Sequence, residues 1–156
     1  VKNFERALRY EGWANRRVLA CLREHPGEAR AWRIFAHILA AQELWLARLR
    51  GEDEGSAEVW PAWDAHRCEE ALLRAEAGLT EFERGLGPDR LDERISYRNT
   101  RGTPYSTRVH DVLRHLNRHG VHHRGQIALL VRLGGGTPAS TDYIVWVREL
   151  EGQPPR

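Results

Sequence analysis

Thr107-Arg-Val-His-Asp-Val-Leu-Arg-His-Leu-Asn-Arg-His119-Gly-Val-His-His123-Arg-Gly-Gln-Ile-Ala-Leu-Leu-Val-Arg-Leu133 reads as one long amphipathic helix that opens at a Ser106 or Thr107 cap and reaches about Leu133. At 100° per residue, Val109, Val112, Leu116, Ile127 and Leu130 fall on one apolar stripe. His119 and His123 lie inside that stripe, His115 and His122 at its edge, and His110 outside it. Residues four apart on a helix project side by side, so His119 and His123 can offer two cis ligands to one transition-metal ion. Gly120 and Gly125 each cost about 1 kcal/mol relative to Ala in a helix interior. The stretch therefore meets some demand beyond helix formation. Gly120 lies toward the packed side, where a small residue permits close approach, whereas the wheel assigns Gly125 no role.

A single helix cannot enclose a small cation with three ligands spread over two turns, because the outer pair would be about 12 Å apart. A third ligand must come from another helix. Working outward, the second helix spans about Glu28 to Arg50 and ends at Gly51, with Ile34, Ile38, Ala41, Leu44 and Trp45 on one face. His37 sits among them. His66 lies beside the seam of the third helix, and His25 precedes Pro26 at an exposed helix end. The candidate metal set is therefore His37, His119 and His123. Core histidines satisfied by hydrogen bonds are the bland alternative for each one singly. Three together on inward faces would need several such bonds, or one ion.

The remaining elements predict an all-α, four-helix bundle. A first helix runs from about Asn3 to Arg23 and stops at Pro26-Gly27. The polar stretch Gly51 to Ser56 and then Trp60-Pro61 form an irregular link. A third helix over Trp63 to Gly85 carries the seam Ala65, Cys68, Leu72, Ala75, Leu79, Phe82 and Leu86. Gly87-Pro88-Asp89 breaks it. Ile95 to Tyr105 predicts a small hairpin turning at Asn99 to Gly102, and Ser106 or Thr107 is expected to cap the histidine helix. Gly134-Gly135-Gly136 ends that helix. A short helix from Asp142 to Leu150 follows, capped by Thr141 or Ser140. One domain is expected over 1–150, with a frayed tail at 151–156.

Composition removes several functions. Lys and Arg total 24 against 22 Asp and Glu, a formal charge of +2. That balance exerts no general pull on nucleic acid or anionic membrane. Arg108, Arg114, Arg118, Arg124 and Arg132 scatter around the histidine helix and form no basic stripe. Arg124 reads as a surface or salt-bridge residue unless an anionic thiol uses it. No apolar run approaches the ~20 residues of a membrane span. The two cysteines, Cys21 and Cys68, form no C-x-x-C pair and read as reduced, buried thiols of a cytoplasmic protein. There is no Glu-x-x-His, no H-E-x-x-H and no glycine-rich phosphate loop, which removes carboxylate di-iron, zincin and nucleotide-binding templates.

Four segments resemble the DinB-like family, also called YfiT-like metal-dependent hydrolases. They are Tyr10-Glu-Gly-Trp13-Ala-Asn15, His37-Ile-Leu-Ala-Ala-Gln-Glu-Leu-Trp45-Leu-Ala-Arg48, Asn117-Arg-His119-Gly-Val-His-His123-Arg-Gly-Gln126 and Thr141-Asp142-Tyr143. Trp13 and Trp45 read as packing residues. The resemblance implies an up-down-down-up bundle, often a homodimer, with one divalent metal on His37, His119 and His123. Related families include metal-dependent thiol S-transferases and a mycothiol-dependent isomerase. The implied activity is thus activation of a low-molecular-weight thiol, or of water, toward a small-molecule substrate, with zinc or nickel as the expected metal. The competing reading is a non-enzymatic interaction bundle with a vestigial site. No carboxylate stands out as a base, since Glu43 is rotated about 120° from His37. Gln126, at the stripe edge, is placed to hydrogen-bond a ligand histidine or the substrate.

Overall fold

The computed structural model describes residues 2–52 and 58–153. Part of the link expected over 51–56 and the last three residues of the expected tail lie outside the described residues. The elements run α1 (Lys2–Glu24), α2 (Ala29–Arg50), α3 (Ala65–Arg84), α4 (Pro88–Asp92), β1 (Arg94–Arg98), β2 (Pro104–Arg108), α5 (Val109–Leu133) and α6 (Tyr143–Leu150). The four long helices match the expected bundle.

Contacts between side chains fix the direction of each helix. Arg16 meets Glu76 and Arg23 meets Glu69, so α1 and α3 are antiparallel. Arg74 meets Glu43 while Arg50 reaches the Gly78 carbonyl and Glu81, so α2 and α3 are parallel. Leu8 shares a cluster with Leu116, and Leu22 with Val131, which makes α1 and α5 parallel. Leu49 packs beside Val109 and Val112, while His37 lies against His119, so α2 opposes α5. The bundle is therefore up-down-down-up. Because α2 and α3 run the same way, the link between them must climb back the length of a helix, about 30 Å for twenty residues. That return journey brings Val59 and Trp60 past His37.

Burial follows the sequence stripes. Val18, Leu22, Phe35, Ile38, Leu39, Cys68, Leu72, Ile127 and Val131 form the upper core. Leu49, Leu86, Ile95, Val109, Val112 and Leu113 form the lower one, closed by α4 and the hairpin. In the hairpin Ile95 pairs with Thr107 and Tyr97 with Tyr105, and the Asn99 side chain accepts from the Arg101 and Thr103 N–H groups. Gly102, at φ +80°, closes this turn. The expected caps of the histidine helix are a correction: Ser106 and Thr107 belong to β2, and α5 starts directly at Val109 without a side-chain cap. Strand pairing to β1 claims the backbone there and leaves no capping turn. Likewise Asp142, expected inside the last helix, is its N-cap position. Asp64 caps α3 by accepting from the Arg67 N–H at 2.8 Å.

A buried polar cluster joins α1 to α5. Arg124 of α5 donates to both carboxylate oxygens of Glu11 on α1, at 2.7 and 2.9 Å, and to the Asn15 side chain at 2.9 Å. Asn117 donates to Glu11 at 3.1 Å, and the Arg124 guanidinium lies over the Tyr10 ring. Of the two roles expected for Arg124, surface residue or salt-bridge residue, the structure shows the second. Arg124 is buried and committed to Glu11, so it is not available to an anionic thiol. Burial pushes the Glu11 carboxyl upward, while Arg124 and Asn117 hold it down.

This pair accounts for Gly120. A Cβ at Gly120 would lie 2.2 Å from Glu11 Oε2 and 2.7 Å from an Arg124 nitrogen, whereas one at Gly125 meets nothing within 4 Å. The obstructing atoms are side-chain ends, yet they are locked in a bidentate pair and cannot swing aside. Gly120→Ala should therefore lower stability by about 1–3 kcal/mol through overpacking. Gly125→Ala should raise it by about 0.5–1 kcal/mol through helix propensity and chain entropy. Urea unfolding of the two variants checks this, and equal shifts of the same sign would contradict it.

Candidate metal centre

The site is assembled from α2, α5 and the returning link. His37 lies in the upper part of α2, and His119 and His123 project from successive turns of α5. The His37 and His119 Nε2 atoms are 3.0 Å apart, and one nitrogen from each of the three rings lies within 4.8 Å of the others. Ring centroids are 4.8 Å apart for His37 and His119, 4.7 Å for His37 and His123, and 4.4 Å for His119 and His123. All three candidate residues are therefore brought together. Two nitrogens bound tetrahedrally at about 2.0–2.1 Å from zinc sit about 3.3 Å apart, so the cluster has the dimensions of one ion's ligand set.

Hydrogen bonds outside the cluster fix the tautomers. His37 Nδ1 is 2.5 Å from the Val59 carbonyl oxygen. A carbonyl only accepts, so Nδ1 carries the proton and Nε2 presents its lone pair to His119. His123 Nδ1 is 2.6 Å from Gln126 Oε1, while the Gln126 amide nitrogen faces His122 at 3.4 Å. That orientation makes Gln126 the acceptor and leaves His123 Nε2 free. Gln126 thus hydrogen-bonds His123, one of the candidate ligands.

The site keeps its imidazoles neutral. Burial, reinforced by His123, His37, His115 and His122, pushes His119 down to about 3. Burial lowers His37, against the opposing bond to Val59, and lowers His123, against the bond to Gln126. Neutral imidazole is the ligand form, so the donor set fits a divalent transition metal. Among the described residues no carboxylate joins the cluster. Glu43 points elsewhere as expected and holds Arg74 at 2.9 Å.

The other histidines stay outside. His66 is exposed beside Glu70, and His110 lies near Asp111 and Asp92. His122 is exposed at the cluster's flank. His25 is half-buried rather than exposed, since its Nδ1 contacts the Cys21 carbonyl at 2.8 Å. Cys68 is buried, its thiol pushed up to about 12, while Cys21 is only half-buried; both are free.

Three participants escaped the sequence reading. Trp60 stacks on His37 at 3.6 Å between centroids with 4° between planes, and meets His123 edge-on at 5.9 Å. Val59 acts through its backbone, which leaves no trace in residue type. Glu11 did leave a signal: with Asn15 it puts polar groups four apart on the face of Tyr10, Ala14 and Val18.

Comparison with known proteins adds the lineage. The DinB family model matches residues 3–153. The chain belongs to the DinB family. Protein DinB of Bacillus subtilis strain 168 is 26% identical over 152 residues, covering 86% of this chain and 87% of its own. A crystal structure of a DinB-like protein from Bacillus cereus ATCC 10987 matches with a TM-score of 0.67 and 21% identity. That alignment covers 90% of this chain and 96% of the other, and it supports the bundle fold. Among the described residues of this DinB-family protein, no helix is long and apolar enough to cross a membrane.

The neutral imidazoles have a consequence for stability. The unfolded chain takes up protons on its histidines below about 6.5, whereas folded His119 resists protonation until about 3. The unfolded state therefore binds more protons across that window, and lowering the pH through it destabilises the metal-free fold. Thermal midpoints of chelator-treated protein should fall from pH 6.5 toward pH 3 more steeply than those of His119→Gln. Parallel profiles for the two proteins would show that His119 is not held neutral.

Proposed function

We propose that His37, His119 and His123 hold one divalent transition metal, zinc or nickel, and that this DinB-family protein is a metal-dependent enzyme acting on a small-molecule thiol. One observation carries the reading: the Nδ1 protons of His37 and His123 are committed to Val59 and Gln126, which puts the lone pair of each ring on Nε2, where an ion would replace the 3.0 Å contact between His37 and His119. Three neutral nitrogen ligands and an open coordination position characterise catalytic rather than closed structural sites. A bound ion would supply Lewis acidity there, drawing the pKa of a coordinated thiol or water toward neutrality.

The chain's own contribution is to keep three nitrogens neutral, oriented and partly shielded from water. Among the described residues no carboxylate in the cluster takes up the departing proton. The family resemblance favours transfer of the thiol to an electrophile over hydrolysis. In that transfer the sulfur forms a bond to electrophilic carbon as the leaving group departs with its electron pair, and the thiol proton goes to solvent.

Elemental analysis of the purified protein should find one metal equivalent per chain, lost in His37→Ala and in His123→Ala. Full occupancy in both variants would sink the site. Conjugation of a model electrophile with a panel of small thiols should require that metal. Absence of turnover with every thiol would remove the transferase half of the proposal.

A further inference from the structure

Aromatic rings crowd the metal-facing surface well beyond what three ligands require. Trp60 covers one face of His37, yet the indole remains 40% exposed while His37 itself is only 8% exposed. With one face of the indole against His37, the exposed part of the ring is open to a planar group that approaches the site. On the far side of His119, His115 lies 5.4 Å away and is exposed, backed by Trp45 at 5.3 Å. Trp45 in turn packs against Tyr97 of the hairpin at 5.0 Å. The three candidate ligands therefore lie between two aromatic ledges, Trp60 on one side and His115 on Trp45 on the other. The bundle topology itself delivers Trp60, since the link must return along α2.

Resting on the metal reading above, we propose that Trp60 is the specificity-determining residue of the site and selects ligands that carry a flat aromatic group beside their metal-binding atoms. The alternative role for Trp60 is purely to brace His37. Bracing needs one face of the indole, and the Val59 carbonyl already fixes the His37 tautomer and ring. Bracing therefore leaves the outward exposure unexplained. A planar group resting against indole gains dispersion and quadrupole attraction that a methyl group of the same ligand does not.

The test separates ring selection from metal binding by using two ligands with the same metal-binding head. Protein loaded with Co²⁺ is titrated with benzohydroxamate and with acetohydroxamate, and binding is read from the cobalt absorption spectrum. Benzohydroxamate should bind about fivefold tighter, the advantage one aromatic contact supplies. Trp60→Ala should bind Co²⁺ with unchanged stoichiometry and lose that preference, and Trp60→Phe should retain part of it. An equal preference in Trp60→Ala with its cobalt intact would overturn the assignment, as would absence of preference in the native protein. Loss of cobalt from Trp60→Ala would also overturn it, making Trp60 a positioning residue for His37. If the native protein binds no Co²⁺, the metal reading itself fails, and the selectivity proposal fails with it.

Discussion

The Glu11–Arg124 pair is the constraint on which the geometry of the site depends. Arg124 follows His123 directly, so the rotation that seats its guanidinium on Glu11 also fixes the direction of both histidines of α5. The pair lies out of water, with side-chain exposures of 1% and 2%, and removing one partner from such a pair costs about 3–5 kcal/mol. Apolar side chains would pack the same space at less desolvation cost, but they would tolerate small rotations of one helix against another. A bidentate carboxylate–guanidinium contact does not, because both bonds lengthen as soon as the planes turn. Gly120 belongs to the same device, since it clears the space in which the two groups meet.

Much of this was legible in the sequence because it is periodic. Helical stripes are local, and they separate His119 and His123 from His110, His115 and His122 without reference to any tertiary contact. His37 emerged by the same reasoning on α2. What the stripes could not convey is how far one helix is rotated against another, which depends on pairs such as Glu11 and Arg124 lying 113 residues apart. Arg124 stays open between surface and salt-bridge roles for that reason: composition places arginine outside, and only its partner justifies it inside. The polar residues Glu11 and Asn15 on an apolar face were the available hint.

Boundaries and connections were less legible. Thr107 has the chemistry of a helix cap, but its backbone is engaged by β1, so strand pairing overrides the local preference. The irregular link carries no period at all, and nothing in Trp60-Pro61 distinguishes a ring that packs in the core from one that stacks on the His37 imidazole. The topology supplies that distinction, because two parallel neighbouring helices force the connecting chain to pass alongside one of them.

Val59 and Trp60 touch the same histidine by different means, and the difference bears on how this segment can drift over evolutionary time. The bond from His37 ends on a main-chain oxygen, so almost any residue serves at position 59 provided the backbone keeps its course. The contact from position 60 is made by a ring, and residue identity there is open to selection. Among distant relatives, the neighbour that hydrogen-bonds the histidine would thus look freely variable, and the one that merely leans on it would look constrained. Ranking residues in this connection by variability alone would invert their mechanical importance.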